Sequence, residues 1–291
     1  MLKLKLELDS DISFFLDQVS PVLGREPEIH SFLLSLAAMK RDARDSRDPA
    51  ASQATTLARG LGSDGSLAVA AMQTDPDRFL ILSRTTAGTA EALAGRLLDH
   101  GVSLPGVNGP IPGVDAFAAA WCSRTGQRAR IITHFRLFEA TRVLPPPRPD
   151  GDWRLAAPTD EDLIVDWSLR FVREAVPEDP VGSEEKRRAS VRSGIAAGQY
   201  WLWESGGAPV CMVGSRRETA REKWIAPVYT PPELRGRGHA TALVAVATQA
   251  ILDSGKKAML FTDLANPVSN SIYPKVGYRP LADFKSVGFE K

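Results

Sequence analysis

Cysteine and histidine are scarce in this 291-residue chain, with two of the first and four of the second. Cys122 and Cys211 fall in different predicted domains, so no disulfide is expected. The histidines are scattered without zinc-ligand spacing, so no metal is expected either. Neither sign of charge is in excess: the net charge of +1 gives no global field to hold nucleic acid or a membrane surface. Long apolar runs are missing, and nothing approaches the roughly 20 residues that a bilayer-spanning helix needs. The opening Met1–Glu7 alternates charge with leucine around no continuous apolar core. It does not read as a signal peptide, and a cytoplasmic location is expected.

What remains is the composition of a globular protein, 43% hydrophobic and 24% charged. The length suits two domains, each with its own core. Leu144-Pro145-Pro146-Pro147-Arg148-Pro149-Asp150-Gly151 carries four prolines and cannot continue a helix or a central strand. The chain is therefore expected to divide into domains over 1–144 and 152–291, with 145–151 as a semi-rigid linker.

In the first half, apolar residues at helical spacing predict helices over Asp11–Val19 and Glu26–Met39. The charged Lys40–Ala51 reads as a solvated helix end or loop. Ser66–Met72 and Arg78–Leu82 read as strands around the Asp75-Pro76-Asp77 turn. Gly88–His100 reads as a helix closed by Gly101. Leu104–Val114, dense in proline and glycine, reads as a loop, Val114–Cys122 as a short helix and Ala129–Leu137 as a strand. The second half opens with a strand at Trp153–Ala156. Thr159-Asp160-Glu161-Asp162 then has the form of a capping box with Thr159 as the cap. Leu163, Ile164, Trp167 and Phe171 make an apolar helix face, and Ser183–Ala197 is a more polar helix. Tyr200–Trp203 and Pro209–Val213 are strands around the Gly206-Gly207 turn. Lys223–Tyr229, Met259–Thr262 and Phe284–Phe289 are further strands. Ala226-Pro227 reads as a disrupted strand or a plain edge, because proline has no N–H for a ladder.

The stretch with the most chemistry in it follows Tyr229. A proline pair leads into Arg235-Gly236-Arg237-Gly238, and then into a run of helix formers from Ala240 to Leu252. Strand, glycine loop and helix together build an anion site. The first N–H groups of a helix have no internal partner, and the helix dipole adds partial positive charge there. Gly236 and Gly238 let the backbone turn and let a phosphate approach, while Arg235 and Arg237 supply charge. The loop is not a Walker A, because no Gly-Lys-Ser/Thr follows. It is not the dinucleotide motif either, because Thr241 stands where a third glycine would be.

Arg235, Gly238 and Ala240 fit the Arg/Gln-x-x-Gly-x-Gly/Ala pattern, and the loop resembles the acetyl-CoA loop of the GNAT acyltransferase superfamily. The segment from Asn266 through Asn270 and Tyr273 to Gly277-Tyr278 is similar to the one that closes the GNAT core. The first half resembles, more weakly, the leading half of two-part GNAT proteins, through Leu104–Pro110 and Phe117…Trp121. It has no cofactor loop of its own, and the halves share no residue-level repeat. The resemblance implies an α/β (α+β) GNAT fold. Its mixed, twisted central sheet would be flanked by helices, with two GNAT-like halves in tandem and the first one degenerate.

The resemblance also implies acetyl-CoA as co-substrate and transfer of its acetyl group to a primary amine of a small molecule or peptide. The backbone of Val228, Tyr229 and Thr230 would pair with the pantetheine arm. Arg235, Gly236, Arg237, Gly238, His239, Ala240 and Thr241 would hold the pyrophosphate, and His239 would not be catalytic. Asn266 and Asn270 would bind CoA and tie down the loop. Tyr273 would face the CoA sulfur as general acid, although Pro274, directly after it, puts a shortened or kinked helix in its place. No general base is assigned: Glu222, Glu233 and Asp263 lie near the motifs, but none in a defined position, and deprotonation through water is the other route. A non-catalytic CoA-binding or interaction module, a hydroxyl acceptor and a longer acyl donor stay open as alternatives, as does a homodimer.

Overall fold

Leucine alternating with charge at the N-terminus has a period of two, and in the computed structural model this segment is a strand, β1 (Lys5–Asp9). The structure describes residues 4–45, 56–175, 184–219 and 221–291. Packing divides the chain into two units, Met1–Leu137 with Leu281–Lys291, and Phe138–Pro280. Residues 145–151 lie inside the second unit.

After β1 the first unit contains α1 (Ile12–Leu23), α2 (Pro27–Asp45), β2 (Thr56–Leu61), β3 (Leu67–Gln73), β4 (Leu80–Leu82), α3 (Ala87–Asp99), β5 (Gly106–Pro110) and α4 (Gly113–Thr125). Strand β6 (Arg128–Ala140) carries the chain out of it, and most of β12 (Arg279–Glu290) returns to it. The strand order is β1-β2-β3-β4-β5-β12-β6. Helix α3 crosses between the parallel pair β4 and β5, while the other neighbours from β1 to β4 are antiparallel. In the core, Trp121 stacks on Phe117 and on Phe289, with ring centroids 5.8 and 5.6 Å away.

The expected loop at Leu104–Val114 is a correction: β5 occupies its middle. It pairs with β12 from Phe284↔Pro110 to Gly288↔Gly106. Two of the three glycines that suggested a loop, Gly106 and Gly109, are there because neighbouring backbone comes close. A Cβ at Gly106 would lie 2.4 Å from the Val287 carbonyl oxygen, and one at Gly109 2.6 Å from that of Leu82. Helix α2 extends to Asp45, so the charged run from Lys40 begins as helix; its residues 46–51, like Ser183, lie outside the described residues.

His30 joins three elements of this unit. Its Nδ1–H donates to the Leu23 carbonyl at 3.0 Å, and its Nε2 accepts the Arg84 N–H at 3.1 Å. Only the neutral ring does both. Burial lowers its pKa from the ordinary 6.5. Its contribution to stability is therefore complete above the unfolded-state value and is lost as pH falls toward the lower folded value. Wild type is expected to lose Tm more steeply than His30→Gln between about pH 7 and about pH 5. Parallel curves would remove His30 as the cause.

The second unit repeats the same succession: β7 (Asp152–Leu155), α5 (Glu161–Ala175), α6 (Glu184–Ala196), β8 (Tyr200–Ser205), β9 (Ala208–Glu218), β10 (Glu222–Tyr229), α7 (His239–Asp253), β11 (Lys257–Asp263) and α8 (Pro267–Val276). Its strand order is β11-β10-β9-β8-β7. Again one helix, α7, crosses between a parallel pair, β10 and β11, while the remaining neighbours are antiparallel. Gly206 and Gly207 both take positive φ in the β8–β9 turn, 62° and 79°.

The capping box expected at Thr159 is also corrected. Pro158–Asp160 is a short 3-10 turn, and it is the Asp160 carboxylate that accepts the Ala157 N–H at 2.7 Å. Arg154 holds that carboxylate through two hydrogen bonds of 2.6 and 2.9 Å and keeps its pKa below the usual range. Among the described residues, no helix is long and apolar enough to cross a membrane.

Candidate acyl-donor site

Strand β10 carries the site because it leaves its neighbour. Among the described residues its parallel ladder to β11 runs from Glu222↔Lys257 to Trp224↔Met259 and stops there. On the other side it stays paired with β9, but with a register shift between Ile225↔Ser215 and Val228↔Val213. Ala226 and Pro227 therefore bulge opposite Gly214, where a Cβ would lie 2.9 Å from Pro227 Cδ. The next residues, Val228 and Tyr229, pair with Val213 and Met212 only. Their other backbone edge is released from the β11 ladder.

Beyond Tyr229 the chain makes a 3-10 turn at Pro232–Leu234 and reverses through Gly236 and Gly238, at φ +78° and +84°. A Cβ on either glycine would meet nothing within 4 Å, so the turn opens onto free space. Gly238 is the N-cap of α7 and brings no side-chain cap. The first intrahelical bond is Ala242 N–H to the Gly238 carbonyl, 3.1 Å, which leaves the N–H groups of His239, Ala240 and Thr241 without intrahelical partners. The corresponding crossover helix of the first unit has a side-chain cap. Thr89 N–H is taken by the Thr86 hydroxyl at the N-cap of α3. The same topology therefore starts its crossover helix without a side-chain cap in one unit and with a threonine cap in the other.

Arg235 does not project freely from the turn. Its Nη2 donates to Glu174 at 2.6 Å and its Nε to the Thr230 carbonyl at 2.8 Å. Glu174 also accepts the Tyr229 hydroxyl at 3.1 Å. Arg235 lies over the Tyr229 ring, and Trp167 packs against it, with centroids 6.1 Å apart. Burial first, and then the Glu174 carboxylate, raise the pKa of Tyr229. Glu174, in the last turn of α5, is a residue that sequence reasoning missed. It is one acid on a helix 61 positions from Arg235, and no local pattern marks it. Arg237 is exposed and donates only weakly, to the Glu233 carbonyl at 3.3 Å. His239 is the first residue of α7 and is buried, with its Nδ1 lacking a partner among the described residues.

Tyr273 sits in α8 at 7% exposure. It belongs to the same apolar cluster as Val228 and Ala240, which links it to the end of β10 and the start of α7. Phe138 and Tyr278 pack around its ring, with centroids 6.1 and 5.8 Å away. Burial, with the neighbouring Cys211, pushes its phenol up to about 12. Helix α8 runs on through Pro274 to Val276. Asn270 ties α8 to the end of β11, its amide donating to the Asp263 and Leu264 carbonyls at 3.0 and 3.2 Å. Its Oδ1 is buried without a partner among the described residues. Asn266 is exposed and supplies the helix start, its carbonyl accepting the Asn270 N–H at 3.1 Å. Gly277 takes φ +108°, and a Cβ there would lie 2.7 Å from the Arg142 carbonyl oxygen. Glu222, at the start of β10, is buried, and Asp263 accepts backbone N–H at the other end of β11. No group of three His, Cys, Asp or Glu among the described residues is placed to hold a metal ion.

This mixed α/β topology has GNAT-fold neighbours over nearly the whole chain. Solved structures bear this out at the level of the fold. The chain is similar to a GCN5-related N-acetyltransferase from Sphaerobacter thermophilus, with a TM-score of 0.63 at 17% identity, covering 98% of this chain and 94% of that one. An acetyltransferase of the GNAT family from Colwellia psychrerythraea matches with a TM-score of 0.56 at 11% identity, over 98% and 99% of the two chains. A tandem GNAT protein from the clavulanic acid biosynthesis pathway matches with a TM-score of 0.53 at 14% identity, over 98% of each. No curated protein sequence matches the chain. Residues 163–278 match the acetyltransferase (GNAT) family and form a GNAT domain. Family and fold together support an acyl-transfer function.

Proposed function

We propose that this protein transfers an acetyl group from acetyl-CoA to a primary amine of a small molecule or peptide. The observation that carries the reading is the course of β10, which leaves β11 after Trp224 and runs into the uncapped N-terminus of α7. The residues present fit such a donor: the turn is open above Gly236 and Gly238, and three N–H groups of α7 have no intrahelical partner. Gly236, Arg237, Gly238, His239, Ala240 and Thr241 would hold the pyrophosphate. The released edge of Val228, Tyr229 and Thr230 would hold the pantetheine amides. Arg235, fixed by Glu174, would shape the turn more than it charges it. Asn266 and Asn270 would fix the segment that carries Tyr273.

Acetyl-CoA supplies an acyl group already activated as a thioester. The chain's own contribution is to align that group with the amine, which is worth roughly 7–11 kcal/mol in favourable cases. Tyr273, protonated at neutral pH, offers its O–H to the leaving sulfur. The amine proton leaves through water.

Calorimetry with acetyl-CoA, followed by thiol release in the presence of a panel of amines, tests the reading. Binding tighter than about 1 mM, near −4 kcal/mol, together with amine-dependent thiol release is expected. No binding at that concentration overturns it. The close enclosure of Tyr273 favours one alternative, a module that binds CoA without turnover, and binding without thiol release from any amine would support that instead.

A further inference from the structure

Strand β10 leaves β11 after Trp224, and the closed end of that opening is aromatic. Trp224 stacks on Phe261 of β11, with ring centroids 5.2 Å apart. Trp224 is 4% exposed, and its Nε1 has no partner among the described residues. An indole nitrogen only donates, so what completes it is an acceptor atom. Beside it β9 carries a bulge. Lys223 opposes Glu218 and Trp224 opposes Arg216, which leaves Arg217 as the extra residue. Among the described residues Arg217 is the one non-glycine with a positive φ, 44°. Such strain persists where the surroundings impose it, and it collects at binding sites. The bulge turns the Arg217 guanidinium over the Trp224 ring, 4.9 Å from its centroid. Arg216, directly opposite Trp224, shares its face. It is exposed, and its Nη2 donates to the Tyr200 hydroxyl at 3.3 Å rather than to a carboxylate. Two consecutive guanidinium groups thus flank one unmet indole N–H. The buried Glu222 carboxylate acts on Arg217 and offsets one of the two charges. The Glu218 carboxylate is already taken by Lys223 and Lys256. A single net positive charge remains, which suits a monoanion.

We propose that Arg216, Arg217 and the Trp224 N–H bind a carboxylate of the acceptor, so that the acceptor is a small amine with a carboxylate a few bonds from its nitrogen, an amino acid. The inference rests on the acyl-transfer reading of the β10–β11 opening and narrows it. Neighbouring strands lie about 4.8 Å apart, and successive residues of a strand about 3.3 Å. Arg216 is one strand across and one residue back from Ile225, where β10 is released from β11. A carboxylate held there is only a few bonds short of a thioester lying along the released edge. The guanidinium fork pairs with a carboxylate by charge-assisted hydrogen bonds that a carboxamide does not form. A stack that served packing alone would need one arginine over Trp224, and would give no use to the second or to the indole N–H.

The test is acetyl transfer to the standard amino acids and to their carboxamides, read by thiol release, on wild type, Arg216→Gln and Arg217→Gly. Calorimetry with acetyl-CoA and thermal melts accompany each protein. Wild type is expected to use at least one amino acid with a kcat/KM about tenfold or more above that of its carboxamide. Arg216→Gln should lose most of that preference, through KM. Arg217→Gly, for which a φ of 44° is no strain, should lose it without a fall in Tm. Both variants should bind acetyl-CoA as wild type does. A carboxamide used as well as its amino acid, a preference retained in both variants, or no turnover of any amino acid overturns the proposal. In each of those cases acetyl-CoA binding by wild type leaves the donor reading standing. If wild type does not bind acetyl-CoA, the acyl-CoA reading falls and this proposal with it.

Discussion

Gly238→Glu is expected to abolish acetyl-CoA binding while leaving a folded protein. The two effects separate because the turn is open. A Cβ at Gly238 meets nothing within 4 Å, so no packing is lost. The backbone cost remains, since φ +84° is a left-handed conformation worth roughly 1–2 kcal/mol to a residue with a Cβ. A carboxylate at the start of a helix recovers part of that, about 0.3–1 kcal/mol, through the dipole and the unpartnered N–H groups. Those groups are the ones proposed to hold the pyrophosphate. The new carboxylate therefore both competes for them and repels the ligand, and the loss of two or more charge-assisted bonds predicts a fall of at least about a hundredfold in affinity. Gly238→Ala is the control. It should share the drop in Tm and keep most of the binding. Titration of both variants with acetyl-CoA decides the matter: equal affinities would mean that the turn does not hold the anion.

The glycine turn was legible because its chemistry is local. A strand, two glycines and a helix are consecutive in sequence, and the physics of an uncapped helix start needs nothing distant. The helices were legible for the same reason, since Ile12, Phe15, Leu16 and Val19 fall on one buried face by spacing alone. Features that depend on distant partners were not. Strand β5 hides in a stretch rich in proline and glycine because its glycines answer to backbone at Leu82 and Val287. The Asp160 cap passes for a Thr159 cap because the deciding partner is an arginine on the preceding strand, Arg154. Glu174 cannot be connected with Tyr229 or Arg235 until the fold brings α5 to the end of β10. The internal repeat escapes residue comparison and appears only in the succession of elements, because topology constrains hydrophobic pattern and loop geometry more tightly than identity. Thr86 in one unit and Gly238 in the other differ in one respect: the N-cap of one crossover helix takes up a helical N–H with its side chain, and that of the other has no side chain to do so.

Tyr273→Phe is expected to lower turnover by about a hundredfold or more, with acetyl-CoA affinity nearly unchanged. The variant keeps the ring, so its contacts with Phe138 and Tyr278 survive and the fold should hold. What it removes is one O–H in a site where burial raises the pKa to about 12. That value decides how the group can act. A phenol near 12 is a weaker acid than a simple thiol near 8.5, so handing its proton outright to a thiolate is uphill by roughly 5 kcal/mol. The favourable role is a hydrogen bond that strengthens as charge develops on the sulfur, with the net proton arriving from the amine side through water. Two consequences can be measured. The loss should appear in kcat and not in KM. The wild-type rate should also show no alkaline fall assignable to Tyr273 below about pH 11, because the phenol stays protonated until pH approaches its raised value. A Phe variant with wild-type kcat would make Tyr273 a packing residue and leave the sulfur to solvent. An alkaline limb near 9 that vanishes in the variant would mean that the buried phenol ionises far more readily than its surroundings imply.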